Sequence, residues 1–287
     1  MKLPQIISAI VTPFHSDGSI DFSTFKKLIN DQIDNKIEGI VVFGTTGECP
    51  TLTKEEKINL LDEAISVAKG KIAIIANIGT NCTSESIDLA KIAKEKEIDA
   101  LLAIVPYYNR PEKEGIIAHF HAICDVGVPL IFYHHPKRTG TTLDIETIIK
   151  ISSHPMIVGI KECSSDIELL KNIHKSLPSL KIYSGNDDEL IEQKKFGIYG
   201  VISVVAQLYP AAFYELFKLD SETEYEKILP LIKAVFLEVN PQGIKAALSI
   251  IGYKSMHLRL PMMTAKNATY KAIEKEIRHV FQNLNSE

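Results

Sequence analysis

Lys161 stands in an apolar stretch where a charged side chain is not expected. Residues 156–163, MIVGIKEC, begin as a buried β-strand and then place Lys161 and Glu162 where apolar residues should continue. Removing an ammonium group from water is costly unless the group is paired or neutral. Two interpretations stay open at this point. Lys161 either points outwards and reaches solvent, or lies inside, where burial lowers its pKa and makes the amine a nucleophile for a carbonyl carbon.

Other polar residues follow apolar runs elsewhere in the chain. In GTTGE (44–48), glycines and threonines could bring amides and hydroxyls to a small carboxylate, but a plain strand-to-helix turn carries the same residues. Tyr133 offers a phenol for proton relay, and Arg138 offers a guanidinium for a carboxylate, although both residue types also serve packing or surface roles. His134 and His135 are adjacent, so on a strand they face opposite sides, and we expect them to be structural or substrate-lining.

The chain repeats short Ile- and Val-rich runs between amphipathic segments, and this alternation supplies the scaffold. Segments 53–70 and 83–97 carry apolar residues at helical spacing, with Thr53 and Thr83 as expected N-caps and Gly70 as the expected C-cap. The apolar runs are near-continuous, as in parallel strands that are covered on both faces. There are eight of them: 6–14, 39–44, 71–79, 99–108, 128–136, 156–163, 180–187 and 199–207.

Eight strands that alternate with helices predict an α/β fold of the (β/α)8 TIM-barrel type over residues 1–220. A doubly wound open sheet shares the alternation, but no G-x-G-x-x-G follows the first strand. Residues 221–287 have no comparable strand, and we expect a C-terminal helical extension packed on the barrel. Catalytic residues of such barrels lie at the C-terminal ends of the strands, so we expect the polar groups above to share one mouth.

Composition excludes several classes of function. The net charge of −4 over 287 residues leaves no basic footprint for nucleic acid. No apolar run approaches 18 residues and no signal-peptide pattern begins the chain, so we expect no membrane contact. Scattered cysteines without a CxxC pair indicate reduced thiols in a cytoplasmic protein and neither disulfides nor a metal site; they are Cys49, Cys82, Cys124 and Cys163.

Taken together, the motifs resemble a known family. GTTGE, PYYNRP, YxxPxRTG, GIKE, SGND and GVIS occur in this order, and AIVTPF, NPQGIKAAL and LRLP extend the similarity over nearly the whole chain. They resemble the dihydrodipicolinate synthase family within the N-acetylneuraminate lyase superfamily of class I aldolases. The resemblance implies that Lys161 forms an imine with pyruvate and that the derived enamine attacks L-aspartate 4-semialdehyde. The product would be 4-hydroxy-tetrahydrodipicolinate, on the route to diaminopimelate and lysine, with no metal or organic cofactor.

The resemblance also implies roles for individual residues. Tyr133, Thr46 and Tyr108 match the proton-relay residues of the family, and Tyr108 is expected to reach the active site of a neighbouring subunit. The expected assembly is a homotetramer built as a dimer of dimers. The matches to substrate-binding positions are Thr45 and Thr46 for the pyruvate carboxylate, Arg138 for the carboxylate of the semialdehyde, and Gly185 and Ile202 for the backbone that lines the pocket.

Strand 5 departs from the family pattern. His134 stands where asparagine is usual, His135 where an aliphatic residue is usual, and Lys137 beside Arg138 is also unusual. We expect these changes to crowd the mouth and to bear on the second substrate. The alternatives are a lyase or hydratase for sialic acid or 2-keto-3-deoxy acids with the same imine, or a non-catalytic carboxylate-binding barrel. Arg138 favours the synthase, and a binding protein would not need Lys161.

A possible allosteric site for L-lysine is also implied by the resemblance. It would involve Asn81, Glu85 and Tyr107. Lys54 and Lys57 occupy positions where lysine-sensitive members of the family often carry histidines. Like charges repel, so these ammonium groups should oppose the binding of cationic lysine, and we expect weak or no inhibition.

Overall fold

The computed structural model describes residues 3–284. Its strands form a closed parallel barrel in sequence order, which confirms the predicted fold class. The strands are β1 (Ile6–Ala9), β2 (Gly39–Val42), β3 (Ala73–Asn77), β4 (Ala100–Ile104), β5 (Leu130–His134), β6 (Ile157–Glu162), β7 (Lys181–Ser184) and β8 (Gly200–Ser203). Across residues 3–284, no helix is both long enough and apolar enough to cross a bilayer.

Helices follow the strands and continue into the tail, as the amphipathic segments predict. Up to strand β6 they are α1 (Phe22–Asp34), α2 (Lys54–Ala68), α3 (Thr83–Glu95), α4 (Lys113–Cys124), α5 (Pro136–Thr139) and α6 (Ile145–Ile151). Beyond β6 they are α7 (Ile167–Ser176), α8 (Leu190–Lys194), α9 (Pro210–Tyr214), α10 (Thr223–Val235), α11 (Gln242–Ile250) and α12 (Asn267–Leu284).

The predicted apolar runs start within two residues of the observed strands but extend beyond their carboxyl ends. The run 6–14 continues past β1, and the run 199–207 continues past β8. In these two runs the extra residues lie outside the strands but are buried, as Val11 and Val205 illustrate with no exposed surface. Hydrophobicity therefore locates each strand but not its end, because the segments at the mouth are also covered.

Local capping confirms Thr53 as an N-cap, places Gly70 one residue after the observed C-cap of its helix, and does not confirm Thr83. Thr53 caps α2, and Glu56 completes a capping box by accepting from the Thr53 amide. Gly70 follows the C-cap Lys69 with a φ of 79°, the left-handed conformation that glycine adopts without strain. Thr83 is not an N-cap. It is the first residue of α3, and its hydroxyl hydrogen-bonds instead with His119.

The chain divides into two compact units. The first contains residues 3–5 and 73–202, with β3 to β7 and most of β8. Consecutive strands from β3 to β8 pair in parallel, and β5 meets β6 in a register that places Tyr133 opposite Lys161 and His134 opposite Glu162. Every residue of β4 and β5 is buried, which explains why apolar runs replace simple alternation here.

The second unit contains residues 6–72 and 203–284, with the pair β1–β2 and helices α1, α2 and α9 to α12. Within it, the C-terminal segment is connected to the first part of the chain by hydrogen bonds. The hydroxyl of Ser255 donates to Asp21 at 2.7 Å, and the amide of His257 donates to the carbonyl of Phe14 at 3.3 Å. The boundary at residue 220 between barrel and helical extension stays a prediction from the sequence.

Candidate active site

Lys161 packs against Tyr133 in the first unit. The two residues are register partners on β6 and β5, so their side chains project to the same face. Lys161 is 7% exposed and Tyr133 is 5% exposed. The ammonium nitrogen lies 4.5 Å from the centroid of the Tyr133 ring, and Lys161 forms no ion pair with any residue in the described chain. The interpretation in which Lys161 reaches solvent is therefore wrong.

The surroundings of Lys161 favour its neutral form. Burial is the main cause that lowers the pKa of Lys161 below its ordinary value. The Arg138 cation acts in the same direction, whereas Cys163 and Asp187 act in the opposite direction. A buried amine with a lowered pKa carries a larger unprotonated fraction near neutral pH, and the unprotonated amine is the form that attacks a carbonyl carbon.

Gly185 leaves the space that Lys161 and Cys163 occupy. A Cβ atom at this position would lie 2.6 Å from Cε of Lys161 and 2.1 Å from Sγ of Cys163. The Gly185 amide donates to the carbonyl of Glu162 at 3.0 Å, which holds the β7 end against β6. Ile202, the other residue predicted to line the pocket with its backbone, lies in β8 and has no exposed surface.

His134 lies on the face of β5 opposite Tyr133. The expectation from the sequence that His134 crowds the mouth of the barrel is therefore wrong. Its ring is fully buried, and Nδ1 lies 2.7 Å from Oε2 of Glu162. Its Nε2 accepts a hydrogen bond from the amide of Leu143 at 3.0 Å. The correction follows from register, because Glu162 is the partner of His134 on the neighbouring strand.

His135 and Arg138 lie at the end of β5, on the side of Tyr133. The ring centroids of His135 and Tyr133 are 5.7 Å apart, and the ring planes are inclined at 64° in an edge-to-face contact. Burial lowers the pKa of His135 to about 4, with Arg138 and Lys161 adding to the effect, so the imidazole is neutral at pH 7. Its Nδ1 has no hydrogen-bond partner in the described structure. Arg138 is exposed in α5, and its charge acts on Lys161, Cys163 and His135.

Within one chain, the exposed side chain of Tyr108 is not part of the buried environment of Lys161. Its side chain is 90% exposed, on a backbone with a φ of 71°. Three further residues are predicted for an allosteric lysine site: the carbonyl of Asn81 accepts from Asn109 at 2.9 Å, Glu85 is exposed in the first turn of α3, and Tyr107 is half-buried.

The GTTGE turn lies in the second unit and is hydrogen-bonded to the C-terminal segment. Thr46 is 2% exposed, and its hydroxyl accepts from Nδ2 of Asn240 at 2.9 Å. Because Asn240 supplies a donor, the Thr46 O–H proton stays available for another acceptor. Thr45 is half-buried, and its carbonyl accepts from the amide of Glu48 at 3.1 Å.

A buried ion pair closes the same turn. Glu48, with a φ of 57°, forms a 2.5 Å ion pair with Lys245, and both side chains are almost completely buried. Lys245 also donates to the carbonyl of His257 at 2.6 Å, and the amide of Arg259 donates to Glu48 at 3.0 Å. Burial lowers the pKa of Lys245 to about 8. Lys245 is therefore a second buried lysine, but one that is engaged by a carboxylate.

Sequence reasoning missed the residues that support these sites. Glu162 was visible only as a second charge in an apolar run, and Cys163 only as a free thiol. Asn240 and Lys245 lie in the NPQGIKAAL motif, but nothing local pairs them with a turn almost 200 positions earlier. As for metals, no group of three or more His, Cys, Asp or Glu residues is placed to hold an ion in the part of the chain that the structure describes.

A family model, the Dihydrodipicolinate synthetase family, matches residues 2–280. The chain belongs to this family. A relative named 4-hydroxy-tetrahydrodipicolinate synthase, from Macrococcus caseolyticus, is 38% identical over 263 residues, which cover 89% of this chain and 88% of the relative. The Dihydrodipicolinate synthetase family thus accounts for almost the whole sequence, and the resemblance carried by the motifs is confirmed.

Solved structures of the family agree in fold. The chloride-inhibited dihydrodipicolinate synthase from Acinetobacter baumannii, complexed with pyruvate, is 35% identical with a TM-score of 0.94, covering 98% of this chain and 99% of that one. The enzyme from Cyanidioschyzon merolae with lysine bound is 31% identical with a TM-score of 0.92, covering 97% and 98%. Both similarities extend over the barrel and the C-terminal helices.

Proposed function

We propose that this chain is a 4-hydroxy-tetrahydrodipicolinate synthase, a lyase that condenses pyruvate with L-aspartate 4-semialdehyde in the biosynthesis of diaminopimelate and lysine. One observation carries the proposal: in a member of the dihydrodipicolinate synthetase family, Lys161 is buried against Tyr133 with a lowered pKa and forms no ion pair in the described chain. The non-catalytic alternative gives no reason for such a lysine, because a binding site for carboxylates needs cations that stay charged.

The reaction begins at the neutral amine of Lys161. The amine attacks the keto carbon of pyruvate, and loss of water gives an imine that withdraws electrons from the adjacent methyl group. Removal of a methyl proton gives an enamine, whose carbon attacks the aldehyde of the second substrate. The amino group of that substrate then adds to the imine carbon, and Lys161 leaves as the ring closes. One water molecule is released overall, and the lysine is regenerated without any cofactor.

Proton transfers need a group beside the amine, and Tyr133 is the candidate that the geometry supports. Its ring is in contact with the Lys161 nitrogen, so its phenol belongs to the same buried environment. A tyrosine can pass protons to and from the carbinolamine and the enamine. The relay roles of Thr46 and Tyr108, and the role of Thr45 in binding the pyruvate carboxylate, stay predictions from the sequence.

Arg138 is proposed to bind the carboxylate of L-aspartate 4-semialdehyde. It is exposed at the end of β5, and its charge acts on Lys161, so it is close to the reacting amine but accessible. We expect Arg138→Leu to raise KM for the semialdehyde at least about tenfold while KM for pyruvate changes little, because a charged hydrogen-bonded contact to one substrate is lost. Equal increases in both constants would contradict this assignment.

The assembly is proposed to be a homotetramer, a dimer of dimers in which Tyr108 enters the active site of a neighbour. Support comes from its 90% exposure, which leaves the side chain available to a second copy. Sedimentation of wild type and Tyr108→Ala, each assayed for turnover, tests this. The cytoplasmic location stays a prediction, as does weak inhibition by L-lysine at Asn81, Glu85 and Tyr107.

A turnover assay tests the proposed function itself. Purified enzyme is mixed with pyruvate and either L-aspartate 4-semialdehyde or a panel of sugar-derived 2-keto acids, and substrates and products are followed by mass spectrometry. The proposal predicts consumption of pyruvate with the semialdehyde and no release of pyruvate from the sugar acids. Release of pyruvate from a sialic acid or 2-keto-3-deoxy acid, without condensation, would assign the chain to the lyase alternative.

A further inference from the structure

A chain of hydrogen bonds runs behind the Lys161–Tyr133 pair, on the opposite face of β5 and β6. The amide of Leu143 donates to Nε2 of His134 at 3.0 Å, Nδ1 of His134 meets Oε2 of Glu162 at 2.7 Å, and the amide of Ser164 donates to Oε1 of Glu162 at 2.5 Å. His134 is 0% exposed and Glu162 is 2% exposed. The four groups therefore satisfy one another without help from water.

The hydrogen-bond partners of His134 determine which of its two ring nitrogens carries the proton. Because Nε2 of His134 accepts the Leu143 amide, it carries no proton, and the proton of the neutral imidazole must be on Nδ1. That proton is donated to Oε2 of Glu162, and Oε1 of the same group accepts from the amide of Ser164, so both of its oxygens are engaged. A hydrogen bond between two buried groups is strong and directional, so it restricts the relative position of the two strands.

Leu143 and Ser164, the two ends of this chain of hydrogen bonds, lie in segments that belong to the proposed active site. Helix α5, which contains Arg138, comes directly after β5, and Leu143 lies shortly after α5. Ser164 follows Cys163, directly after the end of β6. His134 and Glu162 are register partners, and each is the immediate neighbour of one member of the Tyr133–Lys161 pair. A change in the His134–Glu162 distance would therefore move the phenol, the amine and the Arg138 segment.

We propose that His134 and Glu162 are positioning residues for the condensation: their hydrogen bond sets the distance between Lys161 and Tyr133 and fixes the segment that carries Arg138. The inference rests on the proposed function. Neither residue touches substrate, since both project to the face away from the reacting amine. The effect is on geometry, and small displacements of reacting groups have large effects on rate.

The variants separate the two halves of the proposal. His134→Leu removes both hydrogen bonds of the imidazole and puts an apolar side chain of similar size in its place. His134→Asn keeps a donor at the place of Nδ1, so Glu162 stays paired, but its shorter amide does not reach the Leu143 amide. Glu162→Gln faces two N–H donors with a single acceptor oxygen, so one donor is left unpaired. His119→Leu is the matched control, because His119 is also buried and hydrogen-bonded, but to Thr83 on another helix.

The readouts are the rate of imine formation with pyruvate, trapped by borohydride and quantified by mass, and KM for the semialdehyde. All variants are measured below their unfolding temperatures. We expect His134→Leu and Glu162→Gln to slow imine formation about tenfold to hundredfold, the range that misplaced reacting groups produce. His134→Asn should form the imine within about threefold of the wild-type rate but raise KM for the semialdehyde, because only the contact to the Arg138 segment is lost. His119→Leu should leave both quantities unchanged.

Wild-type rates and KM in folded His134→Leu and Glu162→Gln would overturn the proposal. An equal loss in His119→Leu would also overturn it, because the effect would then be one of general stability. If His134→Leu does not fold, the contrast between His134→Asn and Glu162→Gln decides the matter with the same readouts. Failure of the proposed function is a distinct result, since wild type itself would then form no imine with pyruvate.

Discussion

The nitrogen of Lys161 lies 4.5 Å from the centroid of the Tyr133 ring, on adjacent strands and in register. An aromatic face stabilises a cation and is a poor substitute for the carboxylate that a buried ammonium group normally requires. The lysine therefore stays chargeable but has a lowered pKa. This environment would let the amine bind a proton and release it during the imine formation proposed above, and the contact with the ring explains why the strand tolerates a lysine.

The pH dependence of imine formation reports this environment. The native pKa of Lys161 is below its ordinary value, so the unprotonated fraction increases at lower pH than in an exposed lysine. We expect the rate of imine formation with pyruvate to rise with pH and to level off below the ordinary lysine pKa of about 10.4. Stopped-flow measurement from pH 6 to pH 10 checks this, and a rate that keeps rising to pH 10 would argue against a perturbed amine.

Gly185→Ala should impair both the amine and the fold. Its new Cβ would lie 2.1 Å from Sγ of Cys163 and 2.6 Å from Cε of Lys161. We expect a loss of about 1–3 kcal/mol in the free energy of unfolding, typical of overpacking, together with slower imine formation. The double variant with Cys163→Ala should recover part of the stability but not the rate, because the clash with Lys161 remains. Recovery of the full rate would contradict this account.

The Glu48–Lys245 ion pair makes a prediction about stability. Glu48→Gln leaves a buried lysine without its carboxylate and should lower the free energy of unfolding by about 3–5 kcal/mol. Replacing both residues by apolar side chains, Glu48→Leu with Lys245→Met, should recover most of this loss. Urea unfolding of Glu48→Gln, of the single variants Glu48→Leu and Lys245→Met, and of the double variant that combines the last two provides the measurement. An additive double variant would show that the two side chains do not act as a pair.

His119 should make the protein sensitive to acid. Burial lowers its pKa to about 4 in the folded chain, against an ordinary histidine pKa of 6.5. Below pH 6.5 the unfolded chain binds a proton that the folded chain does not, so stability present at pH 7 is lost as the pH falls towards 4. The expected contribution is about 2 kcal/mol between pH 7 and pH 5. His119→Leu should flatten the dependence of urea unfolding on pH, and an unchanged slope would refute the assignment.

Much of this fold was predictable because its signals are local. Ile- and Val-rich runs located the strands, and a lysine that interrupts one run marked the site before any pairing was known. Alternation also predicted that His134 and His135 face opposite sides, which the structure confirms. The partner of His134 was not predictable, because register between strands depends on both strands and on the connection between them. The pairing of Lys245 with Glu48 was not predictable either, because the two residues are 197 positions apart in the sequence.

The central claim is that Lys161 forms the covalent intermediate, and trapping tests it most directly. The enzyme is incubated with pyruvate, reduced with borohydride and digested, and the modified peptide is located by mass spectrometry. Lys245 is an internal control, because it is also buried but is paired with Glu48. We predict one adduct per chain on Lys161, none on Lys245, and none anywhere in Lys161→Arg. An unmodified Lys161, or an adduct that persists in Lys161→Arg, would contradict the account.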